Sequence, residues 1–195
     1  MTARTDFSLL FAGFGGQGVL FAGKVVAYAG LLENKELSWL PSYGPEMRGG
    51  TANCSVTISS KPIGSPLVTE PDVLVAMNGP SSERFASDTK SGGLILFDSS
   101  LIGPDQAPQR DDLTVRAIPA TAIVSEHKLT GLANVLMLGA LWQETQFCAE
   151  ETLDAALAKC VPPRKAHLLE PNLTALSLGK EAARTAAAAA VDNRA

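Results

Sequence analysis

Gly13, Gly15 and Gly18 satisfy the spacing G-x-G-x-x-G within the segment Gly13-Phe14-Gly15-Gly16-Gln17-Gly18. Glycines clear side chains away, so backbone N–H groups can face a ligand, and a following helix adds partial positive charge at its start. Such a loop favours an anion or a close neighbour. Its first reading is a dinucleotide phosphate site, which needs a carboxylate about 20 residues on, at the end of the second strand, to hold a ribose. Glu33 and Glu36 lie near that spacing, but they precede the second strand candidate, Leu37 to Leu40, whose end carries Pro41 and Ser42. The fingerprint is therefore incomplete. A tight strand–helix turn with no ligand stands beside it.

A second loop runs from Pro41 to Cys54 and contains Arg48 beside Gly49 and Gly50. A guanidinium next to accessible backbone suits a phosphate or carboxylate, because it offers a fork of donors. The plainer reading is a salt bridge from Arg48 to Glu46 or to a neighbouring surface. Tyr43 and Met47 are apolar residues in this loop, which implies that another surface covers it.

Other chemistries are poorly supplied. Cys54, Cys148 and Cys160 are far apart with no C-x-x-C, so three thiols cannot furnish the four thiolates of an iron–sulfur cluster or a structural zinc site. They read as reduced, buried thiols. His127 and His167 are isolated and read as surface or helix-end residues. A net charge of -4, with 16 Lys and Arg scattered along the chain, argues against a nucleic-acid partner. No apolar run reaches the ~20 residues of a membrane span, and the start of the chain reads as a strand and not as a signal peptide. A cytoplasmic protein is expected.

These loops need elements to hold them. The 195 residues, 46% hydrophobic and 18% charged, suit one domain. Phe7 to Ala12, Val73 to Met77 and Gly93 to Phe97 are nearly continuous apolar runs, as expected of strands buried on both faces. Thr51 to Ser59 alternates with period two, a strand with one buried face. Leu113 to Ile118 is a last strand. Val19 to Leu32 and Pro80 to Asp88 read as helices, the latter capped near Asn78 or Gly79. Pro41 to Gly50 reads as loop. From Ala120 the chain turns helical: Ala120 to Glu126, a buried helix over Leu132 to Trp142, an amphipathic one over Glu151 to Lys159, and a final helix starting near Pro171. Its alanine-rich end, 180–195, has little to pack with and is expected to fray or lie on a partner. The pattern predicts an α/β, Rossmann-like doubly wound domain with a mostly parallel sheet and C-terminal helices.

The residues also carry a resemblance. Gly13-x-Gly-Gly-Gln-Gly18, Pro-Ser-Tyr-Gly-Pro-Glu-Met-Arg-Gly-Gly at 41–50, Thr-Ala-Asn-Cys at 51–54 and Asp72-Val-Leu-Val-Ala-Met-Asn78 resemble the gamma subunit of 2-oxoacid:ferredoxin oxidoreductases. Gly92-Gly93, Asp98-Ser99-Ser100, Ala133-Asn134 and Leu138-Gly139-Ala140 fit the same pattern. The likeness spans residues 7 to 178, and the 41–54 stretch is nearest to the 2-oxoglutarate and branched-chain types.

The resemblance implies a subunit of a complex that oxidatively decarboxylates a 2-oxoacid with CoA. The products are an acyl-CoA, CO2 and a reduced acceptor, either ferredoxin or, in phenylglyoxylate-type complexes, NAD. It implies thiamine diphosphate with Mg2+ between alpha-type and beta-type partners. Iron–sulfur clusters sit on other chains, among them a ferredoxin-like delta-type subunit, and some complexes add a flavin/NAD electron-transfer subunit. No catalytic residue and no metal ligand is expected in this chain. Gly13, Gly15, Gly16, Gln17, Gly18, Arg48, Gly49 and Gly50 are expected on the CoA side of the site or at a docking surface. Tyr43, Glu46, Met47, Asn78 and Asn134 are expected at subunit interfaces, with Asn134 in a polar contact inside an otherwise apolar helix. The rival readings are a free-standing NAD(P)-binding oxidoreductase and a purely structural assembly subunit.

Overall fold

The computed structural model describes residues 6–43 and 50–192, without the side chains of 43 and 190–192. Six strands form one sheet: β1 (Phe7–Phe14), β2 (Glu36–Tyr43), β3 (Thr51–Ser59), β4 (Val73–Ala76), β5 (Leu94–Asp98) and β6 (Thr114–Ile118). Their order is β2-β3-β1-β4-β5-β6. The pairs β1–β4, β4–β5 and β5–β6 are parallel, whereas β3 is antiparallel to both β1 and β2. The sheet is thus mixed and mostly parallel, as the alternating pattern predicts. The departure is β3, which inserts between the first two strands.

The apolar runs explain the central strands. In β1, β4 and β5, Leu9, Phe11, Val73, Val75, Leu94 and Leu96 face the larger core. Their neighbours Leu10, Ala12, Leu74, Ala76, Ile95 and Phe97 face the smaller one. Both faces are covered, so a polar side chain in these strands is tolerated only where it finds hydrogen-bond partners. The larger core lies under α1 (Val19–Leu32), α3 (Ala120–Glu126), α4 (Ala133–Thr145), α5 (Glu150–Cys160) and α6 (Leu169–Asp192). The smaller lies under α2 (Gly79–Phe85) and the segment around Ile102 and Leu113.

Pro41, Ser42 and Tyr43 are strand and not loop, which corrects the expected end of β2. β2 is the sheet edge, and an edge strand tolerates a residue without an N–H. Residues 44–49, among them Glu46, Met47, Arg48 and Gly49, lie outside the described part. Asn134 to Trp142 of α4 are all buried, as the apolar composition predicts. The reason is α6, which crosses α4 at backbone contact. A methyl built on Gly139 would overlap the Leu176 carbonyl oxygen, and one on Gly179 the Leu136 carbonyl oxygen. Part of the alanine segment also packs: Ala183 is fully buried, and Ala182 and Ala186 lie on the larger core. Small side chains suit such a close crossing, so composition alone understated what this segment touches.

Among the described residues no helix is long and apolar enough to cross a membrane, and no group of His, Cys, Asp or Glu could hold a metal ion. Cys54, Cys148 and Cys160 are free and buried.

Candidate functional site at the carboxyl edge of the sheet

Ligands of open α/β sheets settle where connections leave adjacent strands in opposite directions. Here that point lies between β1, whose chain leaves toward α1 and β2, and β4, whose chain leaves toward α2 and β5. The glycine loop hangs over it.

Gln17 straps the crevice. Its Oε1 accepts from the Phe14 amide (2.6 Å) and from Asn78 Nδ2 (3.2 Å), and its Nε2 donates to the Met77 carbonyl (2.8 Å). One carboxamide thereby joins the loop after β1 to the end of β4. Asn78 completes the tie, because its Oδ1 accepts from the Ser81 amide and caps α2. Its side chain is spent inside the chain, and the residue is 4% exposed. Gly13 follows from the same geometry, since a Cβ there would lie 2.8 Å from Gln17 Oε1 and 3.0 Å from Met77.

Gly18 caps α1 in the left-handed region, at φ 77°. It touches Asn134, whose Nδ2 donates to the Gly18 carbonyl (3.1 Å), and a Cβ on Gly18 would lie 2.5 Å from that nitrogen. Asn134 is buried, and its bond spans 116 residues of sequence, fixing α4 against the start of α1. Asn134 makes this polar contact within the chain.

Two loop amides are turned inward, Gly15 N–H to the Gly50 carbonyl (2.8 Å) and Gln17 N–H to the Phe14 carbonyl (3.1 Å). Gly50 thus anchors the start of β3 to the loop. The exposed tip is Gly16, at φ 101°, and a Cβ there would meet nothing within 4 Å. Shallow depressions of about 470 and 320 Å³ lie on either side of it. The first is apolar, lined by Phe14, Leu20, Phe21 and Ala52 beside the glycines. The second includes Met77, Thr121, Thr130 and Gly131.

Neither Glu33 nor Glu36 stands at this loop to hold the ribose of a dinucleotide. β3 separates β2 from β1, and Glu33 sits at the far end of α1. There it accepts from the Ala149 amide (2.9 Å) at the start of α5. This bond, helped by Thr152, holds the Glu33 carboxyl below its ordinary pKa. Glu36 begins the edge strand, at its end remote from the loop.

Two motif residues quoted for their pattern are braces. Asp72 accepts from the Ser8 amide (2.8 Å), the Ser8 hydroxyl (2.7 Å) and Lys90 Nζ (2.9 Å), tying β4 to β1 at the opposite edge. Asp98, fully buried, accepts from the Ser100 amide and from the amide and hydroxyl of Thr121, which caps the approach to α3. Sequence reasoning left both without a role. Their signal was an Asp directly flanking an apolar strand, where a carboxylate can meet the amides of the next turn. Burial pushes the Cys54 and Cys148 thiols up to about 12. At neutral pH they remain thiols, poor as nucleophiles or metal ligands.

The pyruvate ferredoxin/flavodoxin oxidoreductase profile matches residues 8–182. The chain belongs to that family. It is 41% identical over 175 residues to the 2-oxoglutarate synthase subunit KorC of Methanocaldococcus jannaschii, covering 89% of this chain and 91% of the relative. It is 40% identical to the ketoisovalerate oxidoreductase subunit VorA of Methanothermobacter thermautotrophicus, again over 89% of this chain but 35% of that longer polypeptide. The gamma subunit of a keto/oxoacid ferredoxin oxidoreductase from Geobacter sulfurreducens superposes with a TM-score of 0.80 at 28% identity, covering 94% of this chain and 99% of the other. A 2-oxoglutarate:ferredoxin oxidoreductase from Magnetococcus marinus, solved with 2-oxoglutarate, coenzyme A and succinyl-CoA bound, superposes at 0.82 and 27% identity, over 93% of this chain and 32% of that one. The chain is a gamma-type subunit of the 2-oxoacid:ferredoxin oxidoreductases, as its motifs imply.

Proposed function

We propose that this gamma-type chain works in a complex that converts a 2-oxoacid and CoA into an acyl-CoA and CO2, passing two electrons to an acceptor such as ferredoxin. The acid is of the 2-oxoglutarate or branched-chain class, the classes in the names of two relatives that are 41% and 40% identical. Thiamine diphosphate with Mg2+ is assigned to alpha-type and beta-type partners, and the iron–sulfur clusters to a ferredoxin-like partner. This chain contributes one wall of the CoA side, made by the glycine loop and the start of β3, with Arg48 supplying charge. The whole operates in the cytoplasm, and the exposed end of α6 is available to lie on a partner.

The observation that carries this reading is the open tip at Gly16. It stands at the sheet's switch point between two depressions, in a fold shared with an enzyme solved with CoA. CoA brings a thiol that takes the acyl group. The tip fits such a co-substrate because backbone there can approach without a side chain in the way. A docking role for the same loop is favoured by the apolar lining around Phe14, Leu20 and Phe21.

The test is pre-steady-state kinetics on assembled complex. Arg48→Ala removes a charge-assisted bond, which lowers binding by about ten- to a hundredfold. The apparent CoA requirement is expected to rise by that factor, or assembly to weaken, while 2-oxoacid without CoA still forms the thiamine-bound intermediate. Gly16→Val acts in the same direction by placing a side chain at the open tip. Loss of that intermediate in Arg48→Ala, with assembly and thiamine diphosphate content normal, overturns the division of roles.

A further inference from the structure

A concavity beside the glycine loop is not used by the reading above. It is a groove of about 650 Å³ between α1, the turn before α4, and the turn joining α5 to α6. Its lining is mostly apolar and includes Phe21, Leu132, Val135 and Leu168. Phe21 is shared with the depression at Gly16, so the groove continues that surface.

Three lysines border it, each from a different element: Lys24 on α1, Lys128 after α3 and Lys165 after α5. None has a carboxylate within ion-pair distance among the described residues. Lys24 lies over the Tyr28 ring at 5.7 Å and has no anion. Lys24 is half-buried and Lys128 and Lys165 are exposed, whereas the buried Lys180 is paired with Glu150 and the half-buried Arg116 with Glu144. No carboxylate lines the groove, although the chain as a whole carries net charge -4. Three unpaired ammonium groups around an apolar floor on an acidic protein are a complementary surface with its counter-charges missing. A single phosphate would call for convergent donors, such as a forked guanidinium or a nest of amides. Cations dispersed over three elements instead match several separate carboxylates spaced along a chain.

We propose that the groove between α1, α4 and the α5–α6 turn receives a segment of a partner subunit that carries apolar residues flanked by Asp or Glu, with Lys24, Lys128 and Lys165 pairing its carboxylates. This rests on the chain working inside a complex. It is independent of whether the glycine loop meets CoA.

The experiment uses complex isolated through a tag on this chain, compared with the free chain. A zero-length carbodiimide coupling is expected to join at least one of the three lysines to an Asp or Glu of a partner subunit. Amine acetylation of the three is expected to slow several-fold in the complex. The triple change of these lysines to Glu should weaken assembly by about a hundredfold at low salt, and the triple change to Arg should restore it. Thermal melting of both triple variants should stay close to the parent chain, since no internal ion pair is lost and only the Lys24–Tyr28 ring contact changes. Equal acetylation in complex and free chain, with unchanged assembly of the Glu variant, overturns the proposal and leaves the CoA reading standing. Protection of the free chain by ADP or pyrophosphate alone overturns it in favour of a small-anion site. Recovery of this chain without partners overturns both readings.

Discussion

Replacing Gln17 by Ala removes the strap across the switch point. Three hydrogen bonds disappear, and two of the groups left behind, the Met77 carbonyl and Asn78 Nδ2, belong to residues that are 3% and 4% exposed. A neutral hydrogen bond contributes about 1 kcal/mol net, so three amount to about 3 kcal/mol, with more lost where a buried group is left without a partner. Gln17 itself is only half-buried, so water can reach part of the vacated space, which lowers the expectation to about 2 kcal/mol. For a chain of this size that is a fall in Tm of about 4–8 °C. Equilibrium urea unfolding should show the same loss as a lower midpoint with an unchanged slope. Gln17→Glu sharpens the test. Its carboxylate still accepts from Phe14 and Asn78, but its second oxygen faces the Met77 carbonyl with no proton to offer. Folding then raises the carboxyl's pKa above its unfolded value. Stability relative to the parent is present below the unfolded carboxylate range and is lost as pH rises through the folded pKa. A Gln17→Ala chain within about 0.5 kcal/mol of the parent, the spread of ordinary surface changes, would refute the strap, as would a Gln17→Glu chain fully stable at pH 7.

Gly139→Ala should cost about 3 kcal/mol, the upper part of the overpacking range, because the methyl meets the rigid Leu176 carbonyl; a melt unchanged from the parent contradicts the α4–α6 crossing. Asn134→Ala should lose about 1 kcal/mol through its bond to Gly18, lowering stability or assembly more than the turnover of assembled complex. Gly18→Ala is expected to be worse alone than in the Asn134→Ala background, where the methyl has room; additive losses in that double-mutant cycle would show that the two residues do not touch. Cys54 and Cys148, held near 12 by burial, should resist thiol reagents at pH 8 in the native chain and react after unfolding. Their raised pKa means stability is intact below the unfolded thiol value and is lost as pH rises toward about 12, so a pH series of urea midpoints should fall on the alkaline side.

The sequence by itself determined most of the elements. Phe7 to Ala12, Val73 to Met77 and Gly93 to Phe97 read as strands covered on both faces, because short continuous apolar runs bounded by turn residues suit a strand buried on both sides. The cap at Asn78 and the burial of α4 were legible for the same kind of local reason. So was the glycine loop between a strand and a helix, and with it the family, since the motif at 41–54 is a string of residues and needs no fold to be read. Local pattern could not say which strand lies beside which. Only the tertiary structure placed β3 between β1 and β2. That pairing removes the second strand from the loop, and Glu33 is spent on the start of α5. Nor could spacing show that Gln17 turns inward, that Asn134 reaches back 116 residues to Gly18, or that Gly139 and Gly179 exist to let two helices touch. Each of these depends on contacts between segments remote in sequence. A residue's type fixes what it can donate, accept or fit, and only the packed chain fixes which partner stands within reach.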